Sequence, residues 1–309
     1  MTTEYEDQVE ISSEAQGVSA WKDVVAGTAG GIAQVLSGQP FDTTKVRLQS
    51  APEGTYSGAG DVVRQLMKNE GFKGFYKGTV TPLIGVGACV SVQFAVNEGM
   101  KRYFEEKDRV DGHFYGLTYP QLYLCGAAAG FANSFLASPI EQIRIRLQTQ
   151  TKDSPIKFNG PIDAVKKIVR ADGVARGLFR GLVPTVLRES HGMGMYFMAA
   201  EACIKKEMQL TERTRAEVPS WHVCVYGGLA GVSMWLSIYP LDVIKSKFQT
   251  DALHSHDRVH KTMWQCYKAT VANGYKNLFK GFAPTLLRAV PVNGATFLAF
   301  DYTRRLLGP

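Results

Sequence analysis

Pro40-Phe41-Asp42-Thr43-Thr44-Lys45-Val46-Arg47-Leu48-Gln49 recurs as Pro139-Ile140-Glu141-Gln142-Ile143-Arg144-Ile145-Arg146-Leu147-Gln148. It recurs again as Pro240-Leu241-Asp242-Val243-Ile244-Lys245-Ser246-Lys247-Phe248-Gln249. The prolines stand 99 and 101 residues apart. Each copy has an acid two positions after Pro, a base three further on, a second base two later, and Gln four after the first base. Three copies at a period of about a hundred residues make the repeat the unit of structure and function.

Upstream of each copy lies a run of small residues: Ala26 to Gly31, Cys125 to Gly130 and Tyr226 to Gly231. Gly at i and i+4 on a helix leaves a groove where a second helix approaches closely in lipid. The same offset three times predicts three such seams. Downstream comes a short amphipathic segment (59–69, 161–171 and 261–272). Then follow Glu70-Gly71…Tyr76-Lys77-Gly78, Asp172-Gly173…Phe179-Arg180-Gly181 and Asn273-Gly274…Phe279-Lys280-Gly281. The glycines read as helix ends and the aromatic–basic pairs as interfacial anchors.

This leaves six apolar, Gly-rich segments at about 24–49, 79–100, 121–148, 182–200, 221–248 and 282–303. Each holds roughly 20 residues of helix, about what crosses a bilayer. Mean hydropathy over the whole chain is only −0.10, because Asp42, Glu98, Arg188, Glu189, Arg288 and Asp301 lie inside or beside these segments. Ionisable groups at membrane depth are costly and face a polar cavity or one another. A soluble helical protein would show a cleaner split of each helix into charged and apolar faces.

A proline inside a helix removes one backbone bond and kinks it. Three equivalent kinks are expected to draw three helices together at one end. Around that ring each acid is expected to reach the base of its neighbour: Asp42 with Arg144, Glu141 with Lys245, Asp242 with Lys45. Gln49, Gln148 and Gln249 lie one turn beyond each base, placed to brace the layer. Three solvated helix ends would not need Pro, acid, base and Gln in fixed register.

The net charge of +7 suits an anionic solute or lipid, and no Lys/Arg block is long enough to favour nucleic acid. The five cysteines, Cys89, Cys125, Cys203, Cys224 and Cys266, are dispersed and read as packing residues. His254, Ser255, His256 and His260 read as a solvated loop. Residues 1–21 carry Glu4, Glu6, Asp7, Glu10 and Glu14 with no Lys or Arg. That is neither a signal peptide nor an Arg-rich transit peptide, and it reads as a disordered tail.

Pro-x-acid-x-x-base three times, each followed by acid-Gly…aromatic-base-Gly, resembles the mitochondrial carrier family over about residues 22–306. The resemblance implies an all-α membrane protein of six transmembrane helices in three pseudo-symmetric repeats (22–112, 118–208 and 218–307) with three short matrix helices. It implies both termini on the intermembrane-space side, location in the mitochondrial inner membrane, and alternating access around a central site. It implies no enzyme chemistry, no cofactor and no metal, a small-molecule substrate, cardiolipin at the matrix-side turns of Gly71, Gly173 and Gly274, and a monomer. Asn273 departs from the family's acid. The cytoplasmic-side motif, aromatic-acid-x-x-base, is uneven. Phe300-Asp301…Arg304 fits, Glu98 and Lys101 lack the aromatic, and Glu201 has Ile204 where a base is usual and Lys205 next. The weaker cytoplasmic gate is expected to favour the matrix-closed state.

Counting from the triplets, the family's substrate position falls on Gly85 and Ala88, on Arg188-Glu189, and on Arg288. Arg188 can take a carboxylate in a bidentate fork, and Glu189 can take an ammonium. Together they match a zwitterion. Their mutual pairing looks awkward, since adjacent helical residues point about 100° apart. Arg288 suits a side-chain carboxylate, or pairs with Glu189 until substrate arrives. Trp235, where the other repeats have Val35 and Ser134, offers a π face to a cation or simply packs. Gln93 and Asn97 could add neutral hydrogen bonds. His191 could make transport pH-dependent if it faces the cavity, though packing between helices is the commoner role.

The pattern is similar to the fungal Ymc-type branch linked to glutamate and organic acids, with basic-amino-acid and carnitine/acylcarnitine carriers as neighbours. An amino-acid carrier, with glutamate or a related amino acid as substrate, is the first reading, and a carnitine/acylcarnitine or basic-amino-acid carrier the second. A carrier-fold scaffold that no longer transports would be expected to lose charges from the motifs. No G-x-S-x-G, P-loop or metal-ligand cluster points to an enzyme.

Overall fold

The structure, a computed structural model, describes residues 2–52, 54–110, 116–151, 154, 156–212, 217–254, 257–272 and 274–307. Asn273, Ser255 and His256, and the side chains of residues 1–21, Cys224 and Phe300, lie outside what is described.

Each repeat is a long helix, a short helix, a tight turn and a second long helix. Repeat one runs through α1 (Thr2–Ser50), α2 (Ala59–Glu70) and α3 (Val80–Val110). Repeat two has α4 (Tyr119–Thr149), α5 (Pro161–Gly173) and α6 (Leu182–Thr211). Repeat three has α7 (Ser220–Thr250), α8 (Met263–Ala272), α9 (Phe282–Leu287) and α10 (Ala289–Leu306). The chain folds as the all-α carrier architecture its repeat pattern predicted.

Pro40, Pro139 and Pro240 lie inside α1, α4 and α7, and the helices continue beyond them. Those three helices touch one another pairwise, as expected of the motif-bearing ends. The ring is completed by α3 along α4, α4 along α6, α6 along α7, and α1 along α10. The last long helix is interrupted at Arg288, between α9 and α10. Pro291 explains the break, because it lacks the N–H that would bond the Leu287 carbonyl.

By apolar length alone, Phe72–Val110 and Val225–Thr250 qualify as membrane spans. Charges of the central layer lower the hydropathy of α1, α4 and α6, and α7 qualifies although it carries Asp242 and Lys245. Ile84, Leu298 and Phe94 point outward, at 77%, 69% and 59% exposure, as side chains facing lipid do. The apolar packing concentrates instead at the motif end. There Ile143 and Leu147 bury against Phe158, Ala164 and Ile168, and Ile244 buries against Cys266 and Leu278.

The acidic segment, expected to be a disordered tail, instead extends α1 from Thr2 as helix. Extending a helix already fixed at one end adds a bond per residue ordered, without a new nucleus.

The three small-residue grooves are not equivalent. In repeat two, a Cβ on Gly130 would collide with the Glu189 carbonyl and one on Gly126 with the Met193 carbonyl. Here α4 and α6 approach backbone to backbone. In repeat one, Gly27 faces open space and Gly31 meets only Val86 at 3.9 Å. In repeat three, Gly227 meets only the Tyr196 hydroxyl at 3.5 Å, and Gly228 and Gly231 face open space. The expected threefold seam is therefore single. The partner helix decides: α6 brings its own Gly194 against Tyr123 of α4, where α3 brings Val86.

Candidate substrate cavity and ion-pair layer

At the motif end, the fixed register of acid and base places each acid of one repeat against the base of the next. Arg144 donates from Nη2 to Asp42 at 2.7 Å, and Lys45 Nζ lies 2.7 Å from Asp242 Oδ2. Lys245 donates to Glu141. These are the three pairings read from the spacing. Lys45, Asp242 and Lys245 are buried, and Asp42, Glu141 and Arg144 are half-buried.

This layer lines a cavity of about 240 Å3 together with Arg188, Glu189, Trp235 and Arg288. The guanidiniums are not idle. Arg188 donates through Nη2 to Glu141 Oε1 at 2.7 Å and also to Glu189, and its Nη1 lies 3.9 Å from Asp242. Arg288 donates to Asp42. Glu141 thus serves Lys245 and Arg188 together, and Asp42 serves Arg144 and Arg288 together.

Two expectations change here. Arg188 and Glu189 do meet, because the long guanidinium arm folds back across the turn. Arg288 pairs with Asp42 and not with Glu189. Glu189 is held further by Asn133 Nδ2 at 3.3 Å, across the close α4–α6 seam that Gly130 permits.

Trp235 lines the cavity with Lys45 Nζ 4.4 Å from its ring centroid, and Tyr239 carries the same ammonium at 5.3 Å. Its π face is occupied by a motif lysine. Gly85 and Ala88 are not among the lining residues. Gly85 is buried against α4, where a Cβ would stand 2.6 Å from Ile140 Cδ1. Its smallness seats a neighbouring helix. Ala88 is exposed. His191 is packed, with Nδ1 2.8 Å from Tyr123 OH. Asn97 is buried and donates to Glu98 Oε1 at 3.3 Å.

The glutamines also differ from expectation. Gln49 reaches the ion-pair layer, donating to Tyr239 OH at 3.2 Å and Asp242 at 3.4 Å. Gln148 bonds Thr43 Oγ1 at 3.4 Å, and Gln249 the Arg180 carbonyl at 3.3 Å. Their shared feature is a seat beneath a triplet glycine of the adjacent repeat: Gln49 under Gly281, Gln148 under Gly78, Gln249 under Gly181. Those glycines have φ of +87°, +78° and +87°, a region that favours Gly, and a Cβ on Gly181 would stand 2.6 Å from Gln249 Cγ. The sequence reading missed Gln39, which accepts from Arg144 at 3.0 Å, and Tyr239. They precede the motif prolines, where repeat two has Ser138, so no threefold signal marks them.

The opposite end is organised differently. Glu98 pairs with Lys101 at 2.9 Å within α3, and Asp301 pairs with Arg305 at 2.8 Å within α10. The base taken is Arg305, not the Arg304 of the motif. Glu201 stands on α6, as does Lys205, which bonds the Leu117 carbonyl and lies over the Tyr119 ring at 5.5 Å.

Outside the spans, Glu70 of α2 takes both Arg47 nitrogens, at 2.7 and 2.9 Å, and Lys77 at 2.6 Å. Burial pushes the Glu70 carboxyl upward, but the hydrogen bonds from Arg47 and Lys77 outweigh it and hold the group below the usual carboxylate range.

Comparison with known proteins agrees with this architecture. The family model for mitochondrial carrier proteins matches residues 16–108, 116–209 and 216–309, one match per repeat. The mitochondrial glycine transporter YMC1 of Saccharomyces cerevisiae is 50% identical over 305 residues, covering 98% of this chain and 96% of its own. The glutamate/glycine mitochondrial carrier ymc1 of Schizosaccharomyces pombe is 47% identical over 284 residues, covering 91% and 92%. A mitochondrial carnitine/acylcarnitine carrier-like protein of Arabidopsis thaliana is 41% identical over 305 residues, covering 94% and 99%. The chain belongs to the mitochondrial carrier family, as a multi-pass carrier of the inner membrane that moves a small-molecule substrate.

Proposed function

We propose that the chain carries a small zwitterionic amino acid by alternating access. One observation carries the reading: Arg188 and Glu189 stand side by side in the central cavity, and Arg188 is at the same time bonded to the motif acid Glu141. In this reading Arg188 takes the substrate carboxylate and Glu189 its ammonium. The relatives named for glycine and for glutamate/glycine support an amino acid over other solutes.

The ion pairs of Asp42, Lys45, Glu141, Arg144, Asp242 and Lys245 act as the matrix gate, with Gln49, Gln148 and Gln249 seated beneath it. Glu98, Lys101, Glu201, Asp301 and Arg304 form the cytoplasmic gate. A carboxylate arriving at Arg188 competes with Glu141 for the same guanidinium. Substrate binding therefore loosens the closed layer, and only a ligand that makes this exchange shifts the equilibrium. An ammonium arriving at Trp235 competes with Lys45 in the same way. Glycine needs Arg188 and Glu189 alone. Glutamate further needs Arg288 released from Asp42. An anionic lipid such as cardiolipin is assigned to the matrix-side turns, where Lys77 and Gly78 face Gly160 and Pro161 at the start of α5 across a groove, and the carrier acts as a monomer.

The test is uptake into liposomes by the purified carrier against a panel of glycine, glutamate, ornithine and carnitine. Glycine or glutamate uptake is expected. Transport of carnitine with no amino acid would refute the reading. Arg288→Ala is expected to lower glutamate uptake more than glycine uptake.

A further inference from the structure

We infer that the matrix face of the closed carrier holds a second binding site, for a small oxyanion, built around Arg146. Arg146 is the second base of the repeat-two motif and is only 8% exposed. Its counterpart Arg47 is bound by both oxygens of Glu70. The equivalent acid in repeat two, Asp172, is instead taken by Arg258 at 2.6 Å. Arg146 is left with one hydrogen bond, from Nη2 to the Asp251 carbonyl at 3.0 Å, and its Nε is buried with no partner. No carboxylate lies within ion-pair distance of it among the described residues. A buried guanidinium without a counter-charge is costly, and its planar fork fits carboxylate and phosphate oxygens.

Arg146 lines a cavity of about 360 Å3, separate from the central one, at the ends of α1, α4 and α7. Three nearby acceptors are already engaged. Arg47 takes the Gln148 and Gln150 carbonyls. The Asp251 carboxylate receives the backbone N–H groups of Ala252, Val259 and His260 and pairs with Arg180 at 3.3 Å. Beside the Arg146 fork stands the Ser50 hydroxyl, which is also buried with no partner, lines the same space and can donate to an anion. The walls come from all three repeats, so a bound anion bridges the ends that must separate when the carrier opens to the matrix. It holds the closed state.

Thermal unfolding of the purified full-length carrier in sodium phosphate, sodium acetate and sodium chloride of equal ionic strength tests this. Phosphate, or phosphate and acetate, is expected to raise Tm over chloride by about 2–4 °C when in tenfold excess over Kd. A rise with phosphate alone assigns a phosphate ligand, and a rise with both assigns any small oxyanion, carboxylates included. Arg146→Gln is expected to abolish the rise. No rise in the unmodified carrier up to tens of millimolar, or an equal rise in Arg146→Gln, overturns the proposal; the latter would place the anion at Arg188 or elsewhere. If Arg146→Gln does not fold, Arg146→Lys keeps the charge without the fork, and an undiminished rise in it overturns the proposal equally.

Discussion

The two ends of this carrier handle charge in opposite ways. At the motif end, acids and bases from different repeats meet across the axis, and the cavity arginines join them: Glu141 holds Lys245 and Arg188, Asp42 holds Arg144 and Arg288. At the other end, the gate residues Glu98 and Asp301 pair with bases of their own helices, and an interhelical contact there, Glu207 of α6 with His222 of α7, involves no gate residue. An interhelical pair must break for helices to part, whereas an intrahelical pair moves with its helix and resists nothing. At the motif end, three such interhelical pairs stand between the closed and open arrangements.

The largest expected effect breaks that contrast directly. Glu141→Gln leaves Lys245 and Arg188 short of their shared counter-charge, a change of the class that costs about 3–5 kcal/mol when one partner of a buried pair is removed. A clear fall in Tm and loss of most uptake are expected. Glu98→Gln, on an exposed i,i+3 pair, is expected to leave Tm unchanged within error. Equal shifts in the two variants would erase the distinction between the ends.

A second comparison lies between repeats. Gly130→Ala forces α4 away from the Glu189 carbonyl and is expected to cost about 1–3 kcal/mol, as overpacking does, with reduced uptake because Glu189 moves. Gly228→Ala meets open space and is expected to be neutral or slightly stabilising. Parallel Tm measurements on the two variants check this, and a Gly228→Ala loss as large as that of Gly130→Ala would contradict the single seam.

Two smaller effects sharpen the motif end. Glu70 has a folded pKa held below its ordinary value, so its contribution is present above about pH 4.5 and fades as pH falls through the depressed folded value. Glu70→Gln is therefore expected to lower Tm at pH 7 and to differ less from the parent as the medium is acidified. A constant difference at all pH values would contradict the ion-pair account. Cys266 is buried in the α8 core and its thiol is pushed up to about 11 by that burial. Little thiolate forms at neutral pH, so maleimide labelling of the native carrier at pH 7 should spare it and proceed only on unfolding. Rapid native labelling would show that the α8 packing is wrong.

Much of this was legible because it repeats. Register within a decapeptide sets which face carries acid and base, and three copies closing a ring dictate neighbour pairing. The Arg188–Glu189 pair, which lines the central cavity, was legible as a departure from the repeat. What was not legible depends on how helices tilt and seat. Asp42 and Arg288 lie 246 residues apart, and no local spacing fixes their contact. Gly85 looked like a featureless cavity wall, but the facing Ile140 makes it a packing position. The small-residue grooves looked alike because a groove is visible in sequence and the helix that fills it is not. Tyr239 and Gln39 escaped notice because they sit at one position with different chemistry in each repeat.

The account turns on Arg188 serving both the closed layer and the substrate. Glycine uptake by liposomes bearing Arg188→Ala, at matched amounts of folded protein, tests that most directly. The account predicts that uptake falls at least a hundredfold, about 2.7 kcal/mol of lost binding and coupling, and that glycine no longer shifts the thermal unfolding of the variant. Uptake retained near the parent level would remove Arg188 from the site and contradict the account.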